Sequence, residues 1–210
     1  RGGGGGAARA QASASQEGTL SPEAKEILFR LIKRPMLDVE RVAGGALKKA
    51  WEGQRYLTTD DLDQIGVSPS KSSVPFNDRR TLVTLMQQNN EAIVAEAKSK
   101  VDAFPGIYEE GGGLYPPIRA ERCLKDFHSF LQVVCYATAA GESSFSHPEG
   151  VTILRQLYTA MDVPFDPMVE GVKGLRDASK QIATENGVPI TAWDEADRSF
   201  EHLLEVLKFR

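Results

Sequence analysis

The chain has 210 residues, a formal net charge of −4 and 41% hydrophobic residues. That length carries one well-packed domain plus an appendage, since a domain of about 150 residues buries roughly 70% of its extended-chain surface. Charges of both signs are spread along it without a basic run or aromatic-basic interleaving, so there is no electrostatic case for nucleic acid, and partners are expected to be proteins or small molecules.

Residues 1–18, RGGGGGAARAQASASQEG, are rich in Gly, Ala and Ser and nearly free of acids. Such a segment cannot bury enough apolar surface to order itself, and its composition is that of an organelle transit peptide, pointing to the chloroplast stroma. Ser21 followed by Pro22 is an N-cap with proline at the first helical position. Ile27, Leu28, Leu31 and Ile32 then give a helical apolar face that stops before Pro35. A second helix is expected over residues 36–54, weakened at Gly44 and Gly45 by about 1 kcal/mol per glycine.

Thr58 or Thr59 caps a short helix through Ile65, and residues 66–73 are a polar loop. Asp78 opens a long helix expected to run to about residue 104. Residues 105–117, with three consecutive glycines and a Pro-Pro pair, form a loop; with no GK[ST] behind them they are not a phosphate loop. The next helix, 118–140, carries both cysteines. They lie twelve positions apart, about 18 Å at the helical rise, far beyond the roughly 7 Å that a disulfide can bridge. Gly141 is a natural helix stop. Further helices are expected over 151–161, 168–184 (after a break at 164–167) and 192–209. With no sustained period of two, the chain reads as all-α.

On the 118–140 helix, Cys123, Phe127, Phe130, Val134 and Ala137 recur at steps of four, three, four and three, and Asp126 lies three residues after Cys123, placing a thiol and an acid at the edge of an apolar stripe. Cys135 falls in the core. His128 lies off that face, and His147 and His202 are expected at the surface. The longest apolar runs, such as 130–140, are too short for a transmembrane segment of roughly 20 residues. No CxxC, HExxH, GxSxG or phosphate-binding motif is present, so neither a metal centre nor conventional enzyme chemistry is expected.

Taken together, CLKDFHSFLQVVCYATAAGESS at 123–144, YLTTDDLDQI at 56–65, NNEAIVAEA at 89–97, GGGLYPP at 111–117, LRQLYTAMDVP at 154–164, VEGVKGLRDAS at 169–179 and ADRSFEHLLEVL resemble, in order, the successive elements of the phycobiliproteins. The resemblance implies a globin-like bundle over 56–210, an N-terminal helical hairpin over 19–55, and a groove for a linear tetrapyrrole of the phycocyanobilin or biliverdin type. It further implies a thioether at Cys123 and an Asp126 carboxylate accepting from the pyrrole nitrogens, which suits a cationic conjugated system. Lys125 replaces the family's propionate-binding arginine, keeping the charge without the bidentate fork. Arg122, Phe127, Phe130 and Tyr158 complete the expected cofactor-binding set.

Ser129, Gln132 and the AGES ending depart from the antenna pattern. The leading expectation is therefore a non-enzymatic, divergent plastid relative resembling the bilin-biosynthesis-associated globins: a sensor, carrier or regulator of chlorophyll or bilin metabolism. Its partners would be plastid proteins of tetrapyrrole metabolism or photosynthesis, or a second copy in a homodimer. The alternatives are an accessory light-harvesting subunit and a chromophore-free helical adaptor, with haem as the second cofactor candidate because the groove is globin-derived.

Overall fold

The computed structural model describes residues 21–42 and 44–208, so the transit-like segment lies outside the described residues. Among the described residues ten helical segments follow one another: α1 Pro22–Lys33, α2 Val39–Val42, α3 Gly44–Glu52, α4 Thr59–Gly66, α5 Phe76–Gln88, α6 Asn90–Asp102, α7 Pro117–Ala140, α8 Pro148–Ala160, α9 Phe165–Glu185 and α10 Ile190–Leu207. No strand occurs among the described residues; the only pairing is an isolated bridge between Leu37 and Ser146. The all-α reading holds. No described helix is long and apolar enough to cross a membrane.

Helix α7 is the axis of the bundle, in contact with α2, α4, α5, α6, α9 and α10. From Phe130 to Ala140 every residue except Gln132 is buried. Its start uses Pro116 and Pro117, where a missing N–H costs nothing. Its end is harder to satisfy, because the last carbonyls of a buried helix have no water to turn to. Gly141 takes the left-handed conformation (φ 70°) as expected. The buried Arg79 guanidinium donates to the carbonyls of Ala139 and Thr138, and the Ser70 hydroxyl donates to that of Ala140 at 2.9 Å. A cation there also faces the negative end of the helix dipole.

Several expected boundaries move. The long helix over 79–104 is two helices, α5 and α6, meeting at Asn89. There Asn89 Nδ2 donates to the Leu85 carbonyl at 2.8 Å and Asn90 Nδ2 to that of Gln87 at 2.7 Å, so side chains compete with the backbone ladder. The 168–184 helix begins earlier, at Phe165, because Pro167 falls in the first turn, where no N–H is needed. Met36 and Leu37 are not helical: His147 N donates to Met36 O at 2.7 Å and Asp38 N to Phe145 O at 2.9 Å. Helix α1 lies against α8.

Thr58 caps α4 through a capping box with Asp61. Asp61 also takes the Arg55 guanidinium, and that pair with the Thr58 donors holds its carboxyl down at about 2, against the opposing cost of burial. A depressed folded value contributes stability above the ordinary carboxylate value, and that stability is lost as pH falls toward 2. Acid titration of unfolding should therefore show a slope between about pH 4 and pH 2 that Asp61→Asn flattens; an unchanged slope would remove Asp61 as its source. Arg79→Met should destabilise the fold by roughly 1–3 kcal/mol in urea titration, because it leaves carbonyls at the buried end of α7 without a donor.

Candidate functional site

Beside the N-terminal half of α7 lies a cavity of about 250 Å³ lined by Lys98, Val101, Tyr108, Leu114, Ala120, Cys123, Leu124 and Phe127. Three segments build it: α6 gives Lys98 and Val101, the loop of residues 103–116 gives Tyr108 and Leu114, and α7 gives the rest. The Phe127 ring rests on α9 at Gly171, where a Cβ would come within 2.1 Å of the ring. A helix–helix approach this close needs glycine at that point.

The expected residues do not all meet the cavity. Cys123 and Phe127 form its wall. Asp126 lies behind them, fully buried, its Oδ2 accepting from the Tyr158 hydroxyl of α8 at 3.4 Å. Phe130 is core, packed edge-on to Phe127 with ring centroids 6.5 Å apart. Lys125 is exposed and Arg122 half-buried. Ser129 donates its hydroxyl to the Lys125 carbonyl at 3.0 Å, and Gln132 reaches the Gln54 carbonyl at 3.5 Å; neither lines the cavity. His202 is half-buried rather than at the surface, bonded to the Ser146 hydroxyl at 2.8 Å.

Sequence reasoning missed the side of the cavity opposite α7. Lys98 Nζ pairs with Asp102 at 2.8 and 2.6 Å, and the Tyr108 hydroxyl donates to the same carboxylate. The ammonium sits 5.7 Å from the Tyr108 ring centroid. These three residues clasp the glycine-rich loop to α6 over the cavity. An i,i+4 Lys-Asp spacing was visible in the sequence, but such pairs are common on solvated helix faces; only the position of the loop gives this one a cavity-facing side.

Burial, and then the nearby Asp126, push the Cys123 thiol well above the ordinary cysteine range. Burial, Asp126 and Cys123 do the same to the Tyr158 phenol. Both groups are held protonated. The Cys123 thiol lies 3.5 Å from the Met168 sulfur, a weak donor on a weak acceptor. Cys135 is fully buried, with its thiol also pushed up by burial, and both cysteines are free thiols.

A linear tetrapyrrole fits this chemistry: a buried carboxyl group suits a ligand rich in N–H donors, and a thiol at the wall suits a covalent anchor. The cavity's volume, about 250 Å³, is below the roughly 300–1,000 Å³ usual for ligand pockets.

Thiolate availability falls about tenfold per unit of upward pKa shift. In the folded protein the thiols should therefore react with an aromatic disulfide reagent at least about tenfold more slowly than in the unfolded chain. Asp126→Asn, which removes a charge but not the burial, should recover only part of that rate. Equal folded and unfolded rates would mean that the Cys123 wall is open to solvent.

The sequence model of the family described as phycobilisome protein matches residues 46–207. The chain is 33% identical over 132 residues to allophycocyanin subunit beta-18 of Picosynechococcus sp., covering 62% of this chain and 77% of that relative. It is 33% identical over 137 residues to the C-phycocyanin beta chain of Aglaothamnion neglectum, covering 64% and 77%. Among solved structures it is similar, with a TM-score of 0.57 and 21% identity, to a far-red fluorescent biliprotein derived from an allophycocyanin F subunit of Chroococcidiopsis thermalis, covering 63% of this chain and 97% of that one. The structural likeness establishes the fold. The family match includes most of α3 and leaves α1 and α2 outside it. A match over most of the chain, carried on a bundle centred on the helix that bears Cys123 and Asp126, makes this chain a member of the phycobilisome protein family.

Proposed function

We propose that the protein is a bilin-binding subunit of the light-harvesting type, holding a linear tetrapyrrole in the cavity beside Cys123. The observation that carries the reading is the juxtaposition of a cavity-wall thiol with a fully buried carboxyl group inside the family-matched region. Relatives named as allophycocyanin and phycocyanin chains favour light harvesting over the sensor, carrier or regulator role expected from the sequence departures, a role to which they lend no support. Ser129 and Gln132, two of those departures, lie away from the cavity, which weakens the argument built on them.

Cys123 would hold the bilin as a thioether, the bound group supplying an exocyclic carbon–carbon double bond across which the S–H would add. The chain's own groups do the rest. Asp126, behind the wall and oriented by the Tyr158 hydroxyl, would accept from pyrrole N–H groups that reach past Cys123 and Phe127, Phe127 with Val101 and Leu114 would exclude water, and Lys98 would meet a ligand carboxylate. The relatives named as beta subunits and beta chains support pairing with a second chain of the same family. A plastid location rests on the composition of residues 1–18.

Incubation of the purified chain with phycocyanobilin tests this. The expected product is a fluorescent adduct that keeps its colour in acidic urea and shows zinc-enhanced fluorescence on a denaturing gel. Cys123→Ser should abolish the covalent band, and Asp126→Asn should keep it while moving absorption to shorter wavelength. A reversible, weakly fluorescent complex would favour the carrier or regulator role, and a Soret band with haem alone would favour a haem protein. No spectral change with either ligand would leave the chromophore-free adaptor.

A further inference from the structure

Residues 22–42 precede the family match: α1 lies against α8, residues 36–38 pair with the loop before α8, and α2 touches α7 and α3. Ala24, Ile27 and Leu31 are buried on the inner face of α1, and Met36 and Leu37 are each 1% exposed. The backbone approach is close. A Cβ on Gly150, in the first turn of α8, would stand 2.2 Å from the Pro35 carbonyl oxygen and 2.9 Å from Met36 N, so glycine is what lets the segment seat.

Its C-terminal end is fastened by a polar clasp. The Arg41 guanidinium donates to the carbonyls of Ser144 and of Ser146, the latter at 2.9 Å. The Ser146 hydroxyl is bonded at 2.8 Å to His202 Nε2 of α10, whose ring stands edge-on to Phe145 with centroids 4.8 Å apart. The chain thus runs Arg41, Ser146, His202 from segment to loop to bundle.

We propose that residues 22–42 are a detachable strap over α8 and that the Arg41–Ser146–His202 clasp opens in mild acid. Protonation of His202 places a second cation beside the Arg41 guanidinium. The carboxylates that could offset it are engaged: Glu142 with Lys71 at 2.9 Å, Glu205 with Lys208, Glu201 with Arg176 at 3.4 Å, and Asp38 with Arg41 itself at 3.6 Å. Arg198, one turn earlier, is occupied by Glu195 at 2.9 Å. Burial first, and then Arg41, hold His202 below its ordinary value of 6.5, with Glu142 and Glu205 opposing. A value lowered in the docked state gives stability that is present above 6.5 and lost as pH falls below it. Because α8 also carries Tyr158, the donor to Asp126, strap release loosens the helix that backs the cavity.

Hydrogen exchange of the full chain, corrected for intrinsic rates, reads this directly at about pH 8 and about pH 5.5. Protection of peptides spanning residues 24–41 should fall severalfold in acid, with a ceiling of about tenfold per pH unit below the free histidine's value. Peptides from α9 should be unchanged. His202→Gln, which keeps a polar partner for Ser146 but cannot become charged, should abolish the pH dependence, and Gly150→Ala should release the strap at both pH values. The proposal fails if strap protection is independent of pH, if α9 loses protection in parallel, if the dependence survives in His202→Gln or disappears instead in His147→Gln, or if Gly150→Ala leaves the strap protected.

Discussion

A helix enclosed by its own bundle must have every polar group answered from within the protein. Helix α7 meets that demand at its end through the buried Arg79 and the Ser70 hydroxyl, with Gly141 turning the chain away. The elements that supply these groups are thereby fixed in position: Arg79 ties α5 to the end of α7, and Ser70 ties down the loop before α5. With the far half locked in the core, the cavity beside α7 lies near its start. There the flanking segment is a glycine-rich loop rather than a helix.

Placing a carboxyl group in such an interior is costly unless it is partnered. Asp126 is met by the Tyr158 hydroxyl, and the same burial keeps the Cys123 thiol and the Tyr158 phenol protonated. Both groups of the site are thus held in their neutral form. The contacts of Lys98, Asp102 and Tyr108 fasten the loop over the same cavity whose wall carries the thiol.

The segment ahead of the family match behaves as an added layer. Its apolar residues cover α8, and its backbone is seated by Gly150 and fastened through Arg41 and Ser146. The same helix, α8, carries Tyr158, the hydroxyl donor to Asp126.

Local rules were enough to read the all-α class, the Ser21, Thr58 and Gly141 boundaries and the buried stripe from Cys123 to Ala137, because caps and a 3.6-residue period are written in neighbouring residues. They were also enough to recognise the family. They failed at Asn89, where amide side chains interrupt an otherwise periodic run, and at Pro167, where a helix breaker falls in a turn that needs no N–H. Met36 and Leu37 were read as helix because their apolar character does not say which backbone they pair with. Only the tertiary structure decided that α1 lies on α8, that Lys98 and Tyr108 face the thiol, and that His202 holds Ser146. Each of these contacts joins residues brought together by packing, and no pattern along the chain encodes which distant surface a helix will meet.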